Sequence, residues 1–483
     1  MFLFNSLTGK KEKLDKPRGG KPLCMFVCGI TAYDFSHLGH ARTYIAFDNI
    51  VKFLRSRGYG VIYLQNVTDV DDKIIKRALE NRISPLALAK KYEKEYVRDM
   101  GALGVDSVDI LARASEFILA ITEQIQTLLA KGFAYKIEND GYYFDISKFK
   151  EYGKLSRRTV EAANDAVSRV DESERKKNKG DFCLWKFVSV QKNTVKKFVI
   201  INGEPAWKTA LGYGRPGWHI EDTAITESFF GPQYDIHGGA VDLKFPHHEA
   251  EIAQQEAASG KSPLARFWLH TGFLLVNGEK MSKSLGNFIT VRDFFGKHKN
   301  FEPKNLLRLL IASHHYRSPV DFSENSVEQT KQTLAGINDF ARKLAFAADN
   351  STNPTMRQNQ TVRRALKKAE QEFISALEDD FNTPEALGVL FQAMSAISPV
   401  VFSMPKNDAD SALEFLRRTL GLLGIAPEIS KIPKKMELLA QKRELYRRNK
   451  QFTHADDLRN RLRKLGYDIE DTPLGPIVRK KSE

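Results

Sequence analysis

Three cysteines in 483 residues, Cys24, Cys28 and Cys183, are too few for a disulfide framework, which excludes the stapled folds of secreted scaffolds and suits a reducing compartment. No apolar run approaches the roughly 20 residues of a membrane-spanning helix, and the opening MFLFNSLTGKKEKLDKPRGGK lacks the pattern of a secretory signal. A cytoplasmic location is expected. Acidic residues are in deficit: 60 Asp and Glu against 74 Lys and Arg leave a formal charge of +14. That balance suits a polyanionic partner such as nucleic acid, and equally a plain basic surface. The chain shows no internal repeat. What it has is length. At 42% apolar content it can bury more than one core, since single cores stop growing at roughly 250 to 300 residues, so several domains are expected.

The run PLCMFVC at 22–28 reads as a buried strand ending at Gly29. In HLGHARTYIAFDNIVKFLRSRG, Ala46, Ile50, Phe53 and Leu54 recur at helical spacing, with Ser36 available as a cap and Gly58 as a stop. GVIYLQNV at 60–67 follows as a second strand, and strand, helix, strand in so short a stretch is a βαβ unit that starts a parallel sheet. Residues 85–132 are mostly helical in pattern, and GYYFDI at 141–146 reads as a short strand. Between 160 and 200 the charge-dense DESERKKNKGD, the apolar DFCLWKF and the polar VQKNTVKKF alternate, as an insertion interrupting the sheet would. Pro246 opens a helix, HHEAEIAQQEAAS, that stops near Gly260. Beyond residue 300 the pattern is helical, and the last fifty residues read as two basic helices and a small hairpin.

Two short motifs carry chemistry. HLGH, His37 to His40, sits between a strand and the start of a helix, where backbone N–H groups and the positive helix end favour phosphate and Gly39 permits close approach. GEKMSKSLGN at 278–287 places Lys280 and Lys283 on a glycine-flanked loop, a cationic arm suited to charge building on a transferring phosphoryl group. Either motif alone is satisfied by a solvated surface; together, in this order, they resemble the signature pair of class I aminoacyl-tRNA synthetases. Cys28 precedes the HLGH turn. In FPHHEAE, His247 and Glu251 stand four positions apart and project from one helical face, as a metal site requires, whereas His248 occupies the neighbouring face.

These residues, together with CGITAYDFSHLGHART, NVTDVDDKIIKRA, LSRR, DFCLWK, GRPGWHIE, YDIHGGAVDLKFPHHEAEIAQ, KMSKSLGNF, TVRDF, HYRSPVDFSE and DDFNTPEA in that order, resemble the cysteinyl-tRNA synthetase family nearly end to end. The resemblance implies an α/β fold. A Rossmann-type parallel-sheet catalytic domain is expected over 1–112 and 205–265, interrupted by a connective subdomain at 113–204. The lysine loop and stem-contact region follow at 266–325, then a helical anticodon-side domain at 326–425 and a small basic α/β domain at 426–483. It also implies ATP-dependent activation of L-cysteine and transfer to tRNA(Cys) by a monomer, with Mg²⁺ accompanying ATP and one Zn²⁺ per chain. A cysteine–amine ligase would share the catalytic half, and a silent RNA-binding paralogue would share the whole.

The family holds its zinc with Cys, Cys, His and Glu. Carried over, these fall on Cys28, Asp222, His247 and Glu251, so GWHIEDTAITE has an aspartate where a thiolate is expected. Zinc accepts Asp oxygen at roughly 2.0 to 2.2 Å as well as Cys sulfur at about 2.3 Å, and both are anionic when bound, but the oxygen lies one bond further from the backbone and makes a harder site. Three readings stay open: Asp222 ligates, Asp222 only orients His247, or the metal is lost. The resemblance also implies that Trp218 closes over the amino acid and that Gly29 and Thr68 lie near it. Gly238, Gly239 and Asp242 would approach adenine and ribose. His37 and His40 would hold the phosphates, and Lys280 and Lys283 would stabilise the transition state. Arg447, Arg448, Lys450, Arg459, Arg461 and Arg463 would contact tRNA phosphates, or form a solvated face. Deleting residues 426–483 is expected to weaken tRNA binding strongly and leave adenylation intact; unchanged affinity in a filter-binding titration would refute the contact.

Overall fold

The computed structural model describes residues 1–158, 175–191, 193–282, 285–351 and 360–480. Lys283 and the start of DESERKKNKGD lie outside the described residues. The chain divides into two compact units, one of residues 1–304, 314–323 and 378–381, the other of residues 305–313, 324–377 and 382–483.

The first unit is built on five parallel strands: β1 (Leu23–Thr31), β2 (Val61–Thr68), β3 (Ile110–Arg113), β4 (Tyr234–Ala240) and β5 (Ala265–Thr271), in the order β5-β4-β1-β2-β3. Central β1 is buried at Leu23, Met25, Phe26 and Val27 without alternation, because both faces of a parallel sheet are covered. The order reverses between β1 and β4, which leaves a crevice at the carboxyl ends of those strands. β3 falls within the stretch read as helical; it is too short to show a period, and its pairing of Leu64 with Ile110 decides it.

Helix α1 (Leu38–Ser56) starts at the crevice. Its cap is His37 and not Ser36: His37 Nδ1 accepts from His40 N–H and His40 Nδ1 accepts from His37 N–H, both at 3.4 Å. Ser36 is drawn away because its carbonyl accepts from Val291 N–H at 2.9 Å. Between β3 and β4 lies a six-stranded antiparallel sheet, in the order Ala134–Ile137, Gly141–Phe144, Phe182–Phe187, Gly212–Pro216, Glu204–Thr209, Phe198–Ile201. Helices α2 (Ile220–Phe230) and α3 (His247–Ser259) return to the parallel sheet. Every residue of α3 from His247 to Ala258 is buried, so its acids and histidines lie inside the unit.

The second unit is helical. A 27-residue helix, Glu324–Asn350, buries Leu334, Ile337, Phe340 and Leu344. Arg308 is wholly buried, its Nε donating to Leu423 carbonyl oxygen at 2.8 Å, and Gly424 leaves the space that a Cβ would take from this guanidinium. Helices Lys434–Arg448 and Phe452–Lys464 pack with the hairpin Tyr467–Thr472/Gly475–Lys480 around Met436, Ala440, Leu462 and Val478. Arg447 pairs with Asp471 at 2.7 Å and Arg463 with Asp468 at 3.4 Å, while Lys450 and Arg461 are exposed. No helix among the described residues is long and apolar enough to cross a membrane.

A buried carboxylate ties distant segments of the first unit. Asp380, whose side chain is wholly buried, accepts from Phe4 N–H, Tyr316 Oη–H and Arg317 Nε–H, each at 2.8 Å. Arg42 on α1 donates to the carbonyls of His315, Tyr316 and Ser318 at 2.7 to 3.2 Å, so α1 is joined to the same segment. Asp380→Ala strands a guanidinium and a phenol and is expected to cost about 3 to 5 kcal/mol, measured as a lowered urea midpoint. A shift under about 1 kcal/mol would show that water replaces the carboxylate.

Candidate metal centre and nucleotide crevice

The register of β1 with β2 shifts between Val27 and Ile30, and Cys28 lies in that irregularity with its carbonyl accepting from Tyr44 Oη–H at 3.2 Å. Cys28 Sγ is 3.8 Å from Glu251 Oε1 on α3. One turn earlier, His247 Nε2 is 3.0 Å from Glu251 Oε1, and the same nitrogen is 3.0 Å from Asp222 Oδ2 on α2. The four ligand atoms lie within 4.8 Å of one another and all four residues are buried. Tetrahedral zinc, with bonds of roughly 2.0 to 2.3 Å, separates its ligands by roughly 3.3 to 3.8 Å, so this sulfur, nitrogen and two oxygens fit a divalent ion with small adjustments.

Asp222 meets His247 at Nε2, the nitrogen turned to Glu251. A carboxylate that only oriented the ring would sit at the other nitrogen, and that place is taken: His247 Nδ1 is 2.7 Å from His219 Nδ1. Asn66 Nδ2 donates to Asp222 Oδ1, and Asn66 Oδ1 accepts from Gly29 N–H at 2.6 Å. One amide therefore joins the departing residue to the strand that carries Cys28. A Cβ on Gly29 would lie 1.7 Å from the Asn66 carbonyl oxygen, so only glycine fits.

Burial, then Glu251 and Asp222, pushes the Cys28 thiol well above its ordinary value. Burial, then Asp222, does the same to the Glu251 carboxyl. Acids closed off from water resist ionising together, and a divalent cation is what would let them. The surrounding imidazoles are held neutral. His219 is lowered by burial and by His247, His237 by burial and by His270, His248 by burial and by His237, and His270 falls to about 3 by burial with Lys244 nearby. Trp218 lies over the pocket, 38% exposed, its ring stacked on His247 at 4.2 Å. Thr68 Oγ1 donates to Glu221 Oε1, one residue before Asp222 in the chain, and the buried Glu221 Oε2 has no partner among the described residues.

At the crevice, the rings of His37 and His40 stack at 3.7 Å. Because each Nδ1 accepts a backbone N–H, each Nε2 carries the proton and is a donor. The far root of the lysine loop is joined to this turn: Leu38 N–H donates to Ile289 carbonyl oxygen at 3.0 Å and Phe288 packs edge-on against His37 at 5.1 Å. Lys280 Nζ lies 3.8 Å from Asp242 Oδ2 and 4.9 Å from the Phe273 ring. Gly238 and Gly239 are demanded by packing, since a Cβ would come within 2.4 Å of the Phe47 ring at the first and 2.7 Å of the His248 ring at the second.

The structure thus gathers Cys28, Asp222, His247 and Glu251 with Trp218, and brings the HLGH turn beside the root of the lysine loop. His248, read on the neighbouring face and away from the metal, is instead 3.1 Å from Cys28 Sγ, because α3 is covered on that side too. Asn66, His219, His237 and His270 escaped sequence reasoning. They come from separate elements, so no spacing joins them.

Residues 15–332 match the family profile described as tRNA synthetases class I (C) catalytic domain, and residues 372–426 match the DALR domain. The chain is 41% identical over 495 aligned residues to a cysteine–tRNA ligase of Thermococcus gammatolerans, with 99% of this chain and 98% of the relative covered. It is 42% identical to the cysteine–tRNA ligase of Caldicellulosiruptor saccharolyticus, with 99% and 100% covered. Among solved structures, Mycobacterium tuberculosis methionyl-tRNA synthetase in complex with methionyl-adenylate aligns at TM-score 0.58 and 17% identity over 83% of this chain and 89% of that one. Agrobacterium radiobacter K84 LeuRS, from a ternary complex with tRNA, aligns at 0.59 and 11% over 85% and 84%. At such identities the structures speak for the fold alone.

Proposed function

This chain belongs to the cysteinyl-tRNA synthetase family, and from that premise we propose how its residues divide the activation of L-cysteine by ATP and the transfer to tRNA(Cys). The observation that carries the reading is the buried convergence of Cys28, His247 and Glu251 with Asp222 beneath Trp218. That Cys/His/Glu group fits a zinc site of the family's kind. We take Asp222 as the fourth ligand; its approach to His247 Nε2, with His219 at Nδ1, favours ligation over a purely orienting role.

Cysteine and serine differ by one atom, and a shaped pocket alone separates such near-isosteres weakly. Bound zinc supplies the selection, because it favours a thiolate far more than an alkoxide at neutral pH. The chain's own residues do the rest. Trp218 closes over the amino acid, while Gly29 and Thr68 lie beside it. The cysteine carboxylate attacks the α-phosphate of ATP, which Mg²⁺ accompanies, and pyrophosphate leaves; the protein mainly positions the reactants and stabilises charge. His37 and His40 offer their Nε2–H groups to the phosphates at the start of α1, where the helix end adds positive potential. Asp242, with Gly238 and Gly239 behind it at the end of β4, takes the ribose hydroxyls. Lys280 and Lys283 stabilise the departing pyrophosphate. The terminal ribose hydroxyl of the tRNA then attacks the carbonyl carbon of the adenylate, forming the ester as the anhydride bond to phosphate breaks; AMP leaves and the hydroxyl proton passes to solvent or to the phosphate. A match that extends through the DALR domain argues against a ligase acting on small amines.

Cysteine-dependent pyrophosphate exchange is expected to exceed serine-dependent exchange by at least about a hundredfold, to vanish on chelation and to return with zinc. Equal rates would overturn the metal-selection argument, and no exchange at all would favour the silent paralogue. Lys283→Ala is expected to lower adenylation kcat by about 10² to 10³-fold with cysteine binding unchanged. Unaltered exchange in that variant would sink the assignment of Lys283.

A further inference from the structure

Two consecutive acids stand in the first turn of α2, and the end of β2 holds both. Asn66 Nδ2 donates to Asp222 Oδ1, and Thr68 Oγ1 donates to Glu221 Oε1. Asn66 and Thr68 are two positions apart on one strand, so their side chains leave the same face. Asp222 is thereby held at the metal pocket and Glu221 one strand step further along, at the carboxyl end of β2. The second Glu221 oxygen, Oε2, is buried and has no partner among the described residues. We propose that Glu221 Oε2 receives the α-ammonium group of the substrate cysteine.

A structural role does not account for this side chain. The helix end favours an acid in the first turn, but that preference is met at a surface and does not call for burying the whole group. Nor does the Thr68 bond call for charge. A glutamine would accept it equally and would not leave a carboxylate oxygen unpaired away from water. The charges that Glu221 feels most are themselves acids, Asp222 first, then Asp69 and Asp71. Asp69 is engaged by Ser115 through N–H at 2.9 Å and Oγ–H at 2.5 Å, and Asp71 caps the helix Asp72–Asn81 by accepting from Lys73 N–H at 2.8 Å. Glu221 keeps an oxygen to give to a cation that arrives.

That cation is a small hydrogen-bond donor and not a metal, because no His, Cys or further carboxylate gathers with Glu221 among the described residues as a metal seat requires. The substrate carries such a group, and its reach fits. The step between Asn66 and Thr68 is roughly 6.6 Å. A metal–sulfur bond of about 2.3 Å, roughly 3 to 4 Å from sulfur to nitrogen within cysteine and a hydrogen bond of about 2.8 Å together cover it. Cysteine is then gripped by its sulfur and its ammonium, and its carboxylate is left to turn toward the HLGH turn and the α-phosphate. Entry requires the pocket to open, as the closing role proposed for Trp218, three residues before Glu221, already implies. A metal that binds thiolate does not separate cysteine from other small thiols; a carboxylate placed for the ammonium does.

The inference rests on the reading of this pocket as the site of cysteine activation. The test uses the full-length zinc-loaded protein, with pyrophosphate exchange as the assay and 3-mercaptopropionate, which is cysteine without its amine, as the probe. Glu221→Gln keeps the shape and the Thr68 bond. It is expected to raise the KM for cysteine about 10 to 100-fold with kcat nearly unchanged, since the ammonium is held alike in the ground and transition states. Inhibition by 3-mercaptopropionate and the bound zinc are expected to stay as in the native chain. In the native chain 3-mercaptopropionate is expected to bind at least about tenfold more weakly than cysteine, a comparison that needs no variant. An unchanged KM in Glu221→Gln overturns the inference. So does a variant that loses zinc, or weakens cysteine and 3-mercaptopropionate alike, because Glu221 then serves only to place Asp222. Equal binding of the two thiols by the native chain overturns it as well, while cysteine-dependent exchange there leaves the proposed function standing. No exchange in the native chain overturns both.

Discussion

The first unit is organised around charge that cannot stay uncompensated. Cys28, Asp222 and Glu251 are closed off from water at the end of the central strand, with His219, His237, His247, His248 and His270 packed about them. Burying one unpaired carboxylate costs several kcal/mol, and a cluster of acids costs more unless a cation or shared protons neutralise it. That is why burial drives the Cys28 and Glu251 protons on, and why the same residues are poised to exchange them for a metal. Hydrogen bonds fix the residues around the cluster: Asn66 ties Asp222 to Gly29, and Gln254 grips the His219 carbonyl.

Around this centre the strand order does the placing. Because the sheet reverses between β1 and β4, the carboxyl ends of those strands diverge, and a crevice opens where the HLGH turn, the β4 glycines and the lysine loop meet. Cys28 and His37 leave the same strand, so the metal pocket and the phosphate-facing helix start share one support. Arg42 then carries the constraint onward: its buried fork fixes α1 to residues 315–318, whose continuation as Val320–Phe322 pairs with Leu274–Val276 just before the loop. The two motifs are therefore joined through hydrogen-bonded backbone.

Much of this is legible in the sequence. The βαβ start, α3 after Pro246, the basic terminal helices and hairpin, and the pairing of His247 with Glu251 all follow from local period and turn chemistry, which the fold respects. The short strand Ile110–Arg113 did not, since four residues carry no period and its partner lies far away in sequence. The cap at His37 did not either. A serine is the better cap in isolation, but the backbone of residue 291 claims the Ser36 carbonyl. The spacing of α3 places His248 on a face that a surface helix would leave exposed, but α3 has no exposed face over most of its length.

What the sequence by itself determined is the chemistry on offer: two signature motifs, a soft ligand before the first, a His and Glu on one helical face, and an aspartate where a thiolate is expected. These are properties of residue type and short spacing, and they survive being read one stretch at a time. What only the tertiary structure decided is which of those groups meet. The nitrogen of His247 that Asp222 approaches, the division of the Glu251 oxygens and the gathering of five histidines from the cap of α2, β4, α3 and β5 depend on strand order and burial, which bring together residues that no local pattern links.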